Sequence, residues 1–317
     1  MAFFRVFIIF IFVCLFSSCR TSVSAANQEF QNKRIIFLGD SITNNGLYVS
    51  FIEYHFFKAG INADVISVGL SGETASGLSE KKCPFPRPCI HSRLDEVLAK
   101  TNPDIVVVCY GMNDGIYHPQ NHARMLAYQL GIKKLIDTVQ KSGSEIILMT
   151  PPPFDPKPIS HKTKPINFGD FSYKNPLVSY NEVLTDYADW LVSLDYKVID
   201  QNKLLREYIQ KRRTLTPEFT LSKDGIHPDS LGHLLMAYNF LDGMNFKLKD
   251  KDLNIEENEV LKLVHERRKL RSKAWLEYIG YTRGKTVKTD SVEDKETEAA
   301  KLQEEILEEI ALSRKPQ

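Results

Sequence analysis

The chain has almost no net charge: 41 basic residues stand against 40 acidic ones, a formal +1 at pH 7. Without a global field, nothing steers it onto nucleic acid or an anionic membrane, so nucleic acid is not expected as a partner. No internal repeat is visible, which argues against solenoid and propeller folds. Bilayer-length apolar runs are also missing: Val6–Phe16 is wholly apolar but too short to span a membrane comfortably. Cysteine is scarce, with five in 317 residues. No second Cys/His pair follows Cys83 and Cys89 at a spacing that would hold zinc. Neither a metal nor a cofactor is expected.

What is there fits one large globular domain or two modest ones. Arg5 followed by the apolar run Val6–Phe16 and then small residues reads as a signal peptide over 1–26. Two processing readings stay open. Cleavage before Cys19 would leave a lipid-anchored protein, the one membrane attachment expected, and cleavage after Ala25 or Ala26 would release a soluble one. Either way the protein is expected to be exported: periplasmic, secreted or anchored in the cell envelope. Cys83 and Cys89 flank a loop stiffened by three prolines. Two readings stay open: a disulfide, which an oxidising compartment would allow, or two free thiols in the stiffened loop. Cys109, in a β-branched run, reads as a core thiol.

Short apolar strands alternate with helical patterns. Strands are expected at Arg34–Leu38, Asp64–Val68, Asp104–Tyr110 and Glu145–Thr150, with a weaker one at Lys197–Asp200. Helices are expected at Leu47–Ala59, His91–Lys100, Asn121–Lys141, Val178–Leu194 and Asp229–Leu241. Continuous apolar strands imply burial on both faces, and the alternation implies a parallel sheet covered by helices. Sites in such sheets form past the carboxyl ends of the strands. Pro151–Pro176 reads as a long proline- and aromatic-rich loop, of a length more often functional than idle. The main domain is taken as 30–248, followed by a charged helical extension at 249–317. In that extension Asn258–Tyr278 is helical and Tyr281–Glu298 is a linker. Ala299, Leu302, Ile306 and Ile310 then form one stripe, for packing on its own domain or on a partner.

Four segments carry chemistry, and three of them directly follow strands. Gly39-Asp40-Ser41 puts a hydroxyl in a tight turn at the top of the sheet, where Asp and Ser also serve as helix caps. Gly69-Leu70-Ser71-Gly72-Glu73-Thr74 can present backbone N–H groups. Gly111-Met112-Asn113-Asp114 offers an amide donor for developing negative charge. Asp224-Gly225-Ile226-His227 spaces a carboxylate to hold an imidazole. His233 lacks such a carboxylate and reads as structural.

Each segment alone is weak, but the set in this order resembles the SGNH hydrolases, also called GDSL esterases and lipases, over roughly Arg34 to Gly243. The resemblance implies a flavodoxin-like three-layer α/β/α sandwich with a five-stranded parallel sheet and metal-independent hydrolysis. It implies Ser41 as nucleophile, His227 as base and Asp224 as its orienting carboxylate. The oxyanion donors would be the N–H groups of Ser41 and Gly72 and the side chain of Asn113. Glu73 stands where the family often has Asp. Asp40, Tyr117, His118 and Phe154 are candidate substrate contacts, and the aromatic loops suit sugar rings. The expected function is an exported esterase acting on a small or glycan ester, foremost a carbohydrate O-acetylesterase. The alternatives are a lysophospholipase or short-chain lipase and, in a different class, a non-catalytic glycan-binding envelope protein.

Overall fold

The computed structural model describes residues 29–81, 86–248, 251–253, 255, 258–282, 287 and 291–313. The expected signal segment 1–26 and Cys83 lie outside the described residues.

Among these residues the strands are β1 (Arg34–Gly39), β2 (Asp64–Ser67), β3 (Ile105–Cys109), β4 (Glu145–Met149) and β5 (Lys197–Ile199). They form one parallel sheet in the order β2-β1-β3-β4-β5. Its register pairs Ile36 with Val106 and Val106 with Ile146. Ile36, Phe37, Val106, Val107 and Ile147 are fully buried. Each such side chain contributes about 1.5–3 kcal/mol, and burial of whole strands is why they read as unbroken apolar runs.

The helices are α1 (Ser41–Asn45), α2 (Leu47–Ala59), α3 (Leu94–Thr101), α4 (His122–Lys141), α5 (Tyr180–Val192), α6 (Gln201–Arg213), α7 (Ser230–Gly243), α8 (Glu259–Ile279) and α9 (Glu293–Ser313). The step from β1 to β2 runs one way across the sheet, and every later step runs the other way. Right-handed crossovers therefore put α2 on one face and α3–α5 on the opposite face. This is the three-layer α/β/α arrangement expected. The reversal lies between β1 and β3, so a crevice opens past their carboxyl ends.

Beyond the five-residue α1, which was not expected as a helix, two elements depart from expectation. Helix α6 was not expected, because only Leu205 and Ile209 of its apolar residues are buried on a strongly basic segment. It is nucleated by Asp200, whose carboxylate accepts from the Lys203 amide at 3.0 Å. Helix α9 begins at Glu293, inside the expected linker, and carries Glu293, Asp294 and Glu296 in its first turn, where acidic groups favour a helix start. Ala299, Ile306 and Ile310 are buried, and α9 packs on α8 and α2. One apolar core runs from the sheet through Val264 and Trp275 of α8 into Ile306 of α9. The extension thus docks on its own domain. No described helix is long and apolar enough to cross a membrane.

Candidate active site

β1 ends at Gly39, where the chain must pass close to its neighbour. A β-carbon there would lie 2.2 Å from Thr43 Oγ1 and 2.7 Å from the Cys109 carbonyl oxygen, so only glycine fits. Asp40 caps α1, its carboxylate accepting from the Ile42 amide at 2.9 Å. Ser41 is the first residue of α1, at the crevice. Capping and reactivity, alternatives in the sequence, fall on adjacent residues.

His227 reaches Ser41 from the loop before α7. Its Nε2 is 2.7 Å from Ser41 Oγ, and its Nδ1 is 2.6 Å from Asp224 Oδ2. The other Asp224 oxygen accepts from the His227 and Ile226 amides and from Ser222 Oγ at 2.8, 3.0 and 3.1 Å. Burial works against the Asp224 charge, but the hydrogen bonds from the His227 ring and these amides outweigh it and hold the carboxyl well below the usual range. The bond with Asp224 raises His227 above the ordinary histidine value against the opposing effect of burial, and the charges of Asp224 and Asp40 add to the rise. The mouth is open: the His227 and Asp224 side chains are 44% and 52% exposed.

The other two segments meet here. Gly72, with φ of +82°, follows β2. Asn113, after β3, donates its amide to the Glu73 carbonyl at 3.3 Å and accepts from Tyr117 Oη at 3.2 Å. The four sequence segments thus form one cluster at the switch point of the sheet.

The candidate substrate contacts divide. Tyr117 and Phe154 are 2% exposed. Tyr117 stacks on Tyr180 and supports Asn113, while Phe154 packs edge-on against Tyr180. Asp40 is equally buried and is spent on the α1 cap. Burial pushes its carboxyl up to about 7, against the Ile42 hydrogen bond and the His227 charge. All three side chains are thus largely interior. His118 is half-buried, edge-on to Phe171 of the long loop. The Cys83–Cys89 pair, a bridge or two free thiols in the sequence, falls partly outside the described residues; Cys89 itself has its sulfur against Gly77 and its backbone paired with Thr74. Among the described residues, no group of three His, Cys, Asp or Glu side chains is placed to hold a metal.

With this geometry in view, the GDSL-like lipase/acylhydrolase family model matches residues 37–235, more than half of the chain. The chain belongs to that family. An acetylxylan esterase of Geobacillus stearothermophilus is 23% identical over 240 residues, which is 68% of this chain and 95% of that protein. The structure of Axe2, an acetylxylan esterase from Geobacillus stearothermophilus, is similar over 68% of this chain and 96% of that one, with a TM-score of 0.48 and 21% identity. A gut microbial diltiazem-metabolizing enzyme is 26% identical over 69% of this chain, with a TM-score of 0.52, and this chain spans 48% of that enzyme's length. As a member of this family the protein is a carboxylic ester hydrolase.

Sequence reasoning missed the layer behind the site. Glu73 is wholly buried and paired with Arg93 through two hydrogen bonds of 2.7 and 2.6 Å, with Tyr110 Oη donating at 2.5 Å. The glutamate is long enough to reach this partner from the loop after β2. Asp114 accepts from the Ala75 and Ser76 amides at 2.8 and 2.7 Å, tying the third segment to the second. Arg87 pairs with Glu80, donates to the Gly72 carbonyl at 3.2 Å and lies over the Tyr117 ring. Glu73 and Asp114, each inside a motif, carried a local signal. Arg87 and Arg93 stand in none of the four segments.

Proposed function

We propose that this protein is an exported serine esterase that removes O-acetyl groups from carbohydrate. One observation carries the catalytic part: the hydrogen-bonded row Ser41–His227–Asp224, with links of 2.7 and 2.6 Å. Nε2 of His227 takes the Ser41 hydroxyl proton as Oγ attacks the ester carbonyl carbon. Asp224 keeps Nδ1–H turned toward itself and stabilises the imidazolium that forms. The carbonyl electron pair moves onto oxygen, which is received by the N–H groups of Ser41 and Gly72 and by the Asn113 amide. Collapse of the intermediate expels the alcohol oxygen, which takes the proton from His227. Water then enters by the same base and releases acetate and Ser41.

Two observations favour acetylated carbohydrate as the substrate. The acetylxylan esterase relative matches over nearly its full length, and the exposed His227 and Asp224 leave room for a bulky alcohol half. Export rests on the apolar run Val6–Phe16 behind Arg5. The test is a substrate panel on purified protein, with acetylated xylo-oligosaccharides set against aryl esters of rising chain length. Acetate release from the oligosaccharides, abolished in Ser41→Ala, is expected. A preference for long acyl chains would overturn the carbohydrate reading in favour of a lipase. Wild-type activity in Ser41→Ala would overturn the mechanism.

A further inference from the structure

Three arginines of α8 are buried against the body of the protein, and they are not used alike. Arg267 pairs with Glu53 at 2.5 Å. Arg271 pairs with Asp64 at 2.6 Å and Glu296 at 3.0 Å. Arg268, between them and only 2% exposed, instead donates to neutral oxygens. Its Nη2 bonds the Asn45 carbonyl at 2.7 Å, its Nε the Ser50 hydroxyl at 3.0 Å and its Nη1 the Ser272 hydroxyl at 3.4 Å. Burying a guanidinium on neutral acceptors is costly. Plain docking would be served by ion pairs like those of its two neighbours.

Asn45 is the last residue of α1, the five-residue helix that opens with Ser41. The Arg268 guanidinium lies flush against the next residue, Gly46, where a β-carbon would come within 2.5 Å of Nη1. The rest of this turn is tied elsewhere. The Ser67 hydroxyl donates to the Thr43 carbonyl at 3.0 Å, and Thr43 Oγ1 meets Tyr48 Oη at 3.0 Å. Asn44 donates to the Gly69 carbonyl at 2.9 Å and accepts from Ser71 Oγ at 3.1 Å, so the turn also holds the loop that carries Gly72.

We propose that Arg268 is a positioning residue for the reaction, fixing the far end of α1 so that Ser41 and the Gly72 loop keep their places beside His227. It lies beyond the family-matched segment 37–235. The C-terminal extension is then part of the working enzyme rather than an appendage. The inference rests on Ser41 being the nucleophile.

The test uses the full chain with Arg268→Met, Arg268→Gln and, as comparator, Arg271→Met on the same helix. Two rates are read per folded molecule: phosphonylation of Ser41 by an aryl phosphonate, located by mass spectrometry, and acetate release with kcat and KM separated. Misplacing a reacting group by about 1 Å costs about 100-fold, so labelling and kcat should fall about 10- to 100-fold in the Arg268 variants. KM should stay within about two-fold, the split expected when an interaction aids the chemical step alone. Arg271→Met should melt earlier while labelling at the wild-type rate. Should Arg268→Met fail to fold, Arg268→Gln, which keeps a neutral donor, carries the measurement. A folded Arg268 variant labelled at the wild-type rate overturns the proposal, as does an equal slowing in Arg271→Met. Wild-type protein that takes no label on Ser41 overturns the nucleophile assignment itself.

Discussion

The sheet and the C-terminal helix pair share one apolar core, but the helix pair is fastened by buried charge as well. The sheet is secured by apolar strands, with Ile36, Phe37, Val106, Val107 and Ile147 wholly buried. The helix pair is fastened through buried arginines. Arg267 sits on Glu53, Arg271 on Asp64, Glu296 and the Val65 carbonyl, and Arg268 on the Asn45 carbonyl at the end of α1. Apolar contact is non-directional and tolerates sliding. A guanidinium bonded to fixed oxygens does not, and removing one partner of a buried pair costs about 3–5 kcal/mol. The difference teaches a division of labour: hydrophobic burial supplies stability to the sheet, and directional charge sets the register of α8 on α2 and β2.

The contrast can be broken or sharpened by substitution, and the largest effect is expected at the mouth. Ser41→Ala should lower turnover by about 10⁴-fold or more while leaving Tm nearly unchanged. Thermal melting alongside acetate release checks both halves. Asn113→Ala should cost about 10²–10³-fold in kcat, though a larger stability loss than for Ser41 is expected because the Tyr117 hydroxyl loses its acceptor. In the helix pair the effects should invert. Ile306→Ala, at a wholly buried position of α9, should lose about 2–5 kcal/mol in denaturant unfolding with kcat per folded molecule unchanged. A drop in kcat there would show that the two regions are coupled beyond Arg268.

The smallest expected effect is a shift in pH dependence. The base must be neutral to accept a proton, so activity should rise with pH through the elevated pKa of His227 and fail on acidification above the ordinary histidine value. The charge of Asp40 contributes to that elevation. Asp40→Asn keeps a good helix cap but removes the charge, so the acid limb of kcat/KM should move to lower pH. An unmoved limb would mean that Asp40 is neutral across the working range, in keeping with its own carboxyl lying near 7.

Much of the fold was legible because its signals are local. Strand burial shows as apolar runs and helix ends show as glycine, so α2 was expected and found at Leu47–Ala59. Helix α6 was not legible, since a basic segment with a thin apolar stripe resembles a solvated loop. The start of α9 was misread because its acidic first turn resembles linker. At the site, Ser41, Gly72, Asn113, Asp224 and His227 could be picked out because each stands in a short motif beside a glycine or at a fixed spacing. The burial of Tyr117 and Phe154 was not legible, because aromatic residues in a loop look alike whether they line a cleft or, as here, pack on Tyr180.

By itself the sequence determined the layered parallel sheet and the residue types of the site, because apolar periodicity and motif spacing act within a few residues along the chain. The tertiary structure alone decided that His227 lies 2.7 Å from Ser41, and that Arg87, Arg93 and Arg268 work inside the protein rather than on its surface. An arginine carries the same charge in either place. What distinguishes them is a partner far away in the chain, and only folding brings the two together.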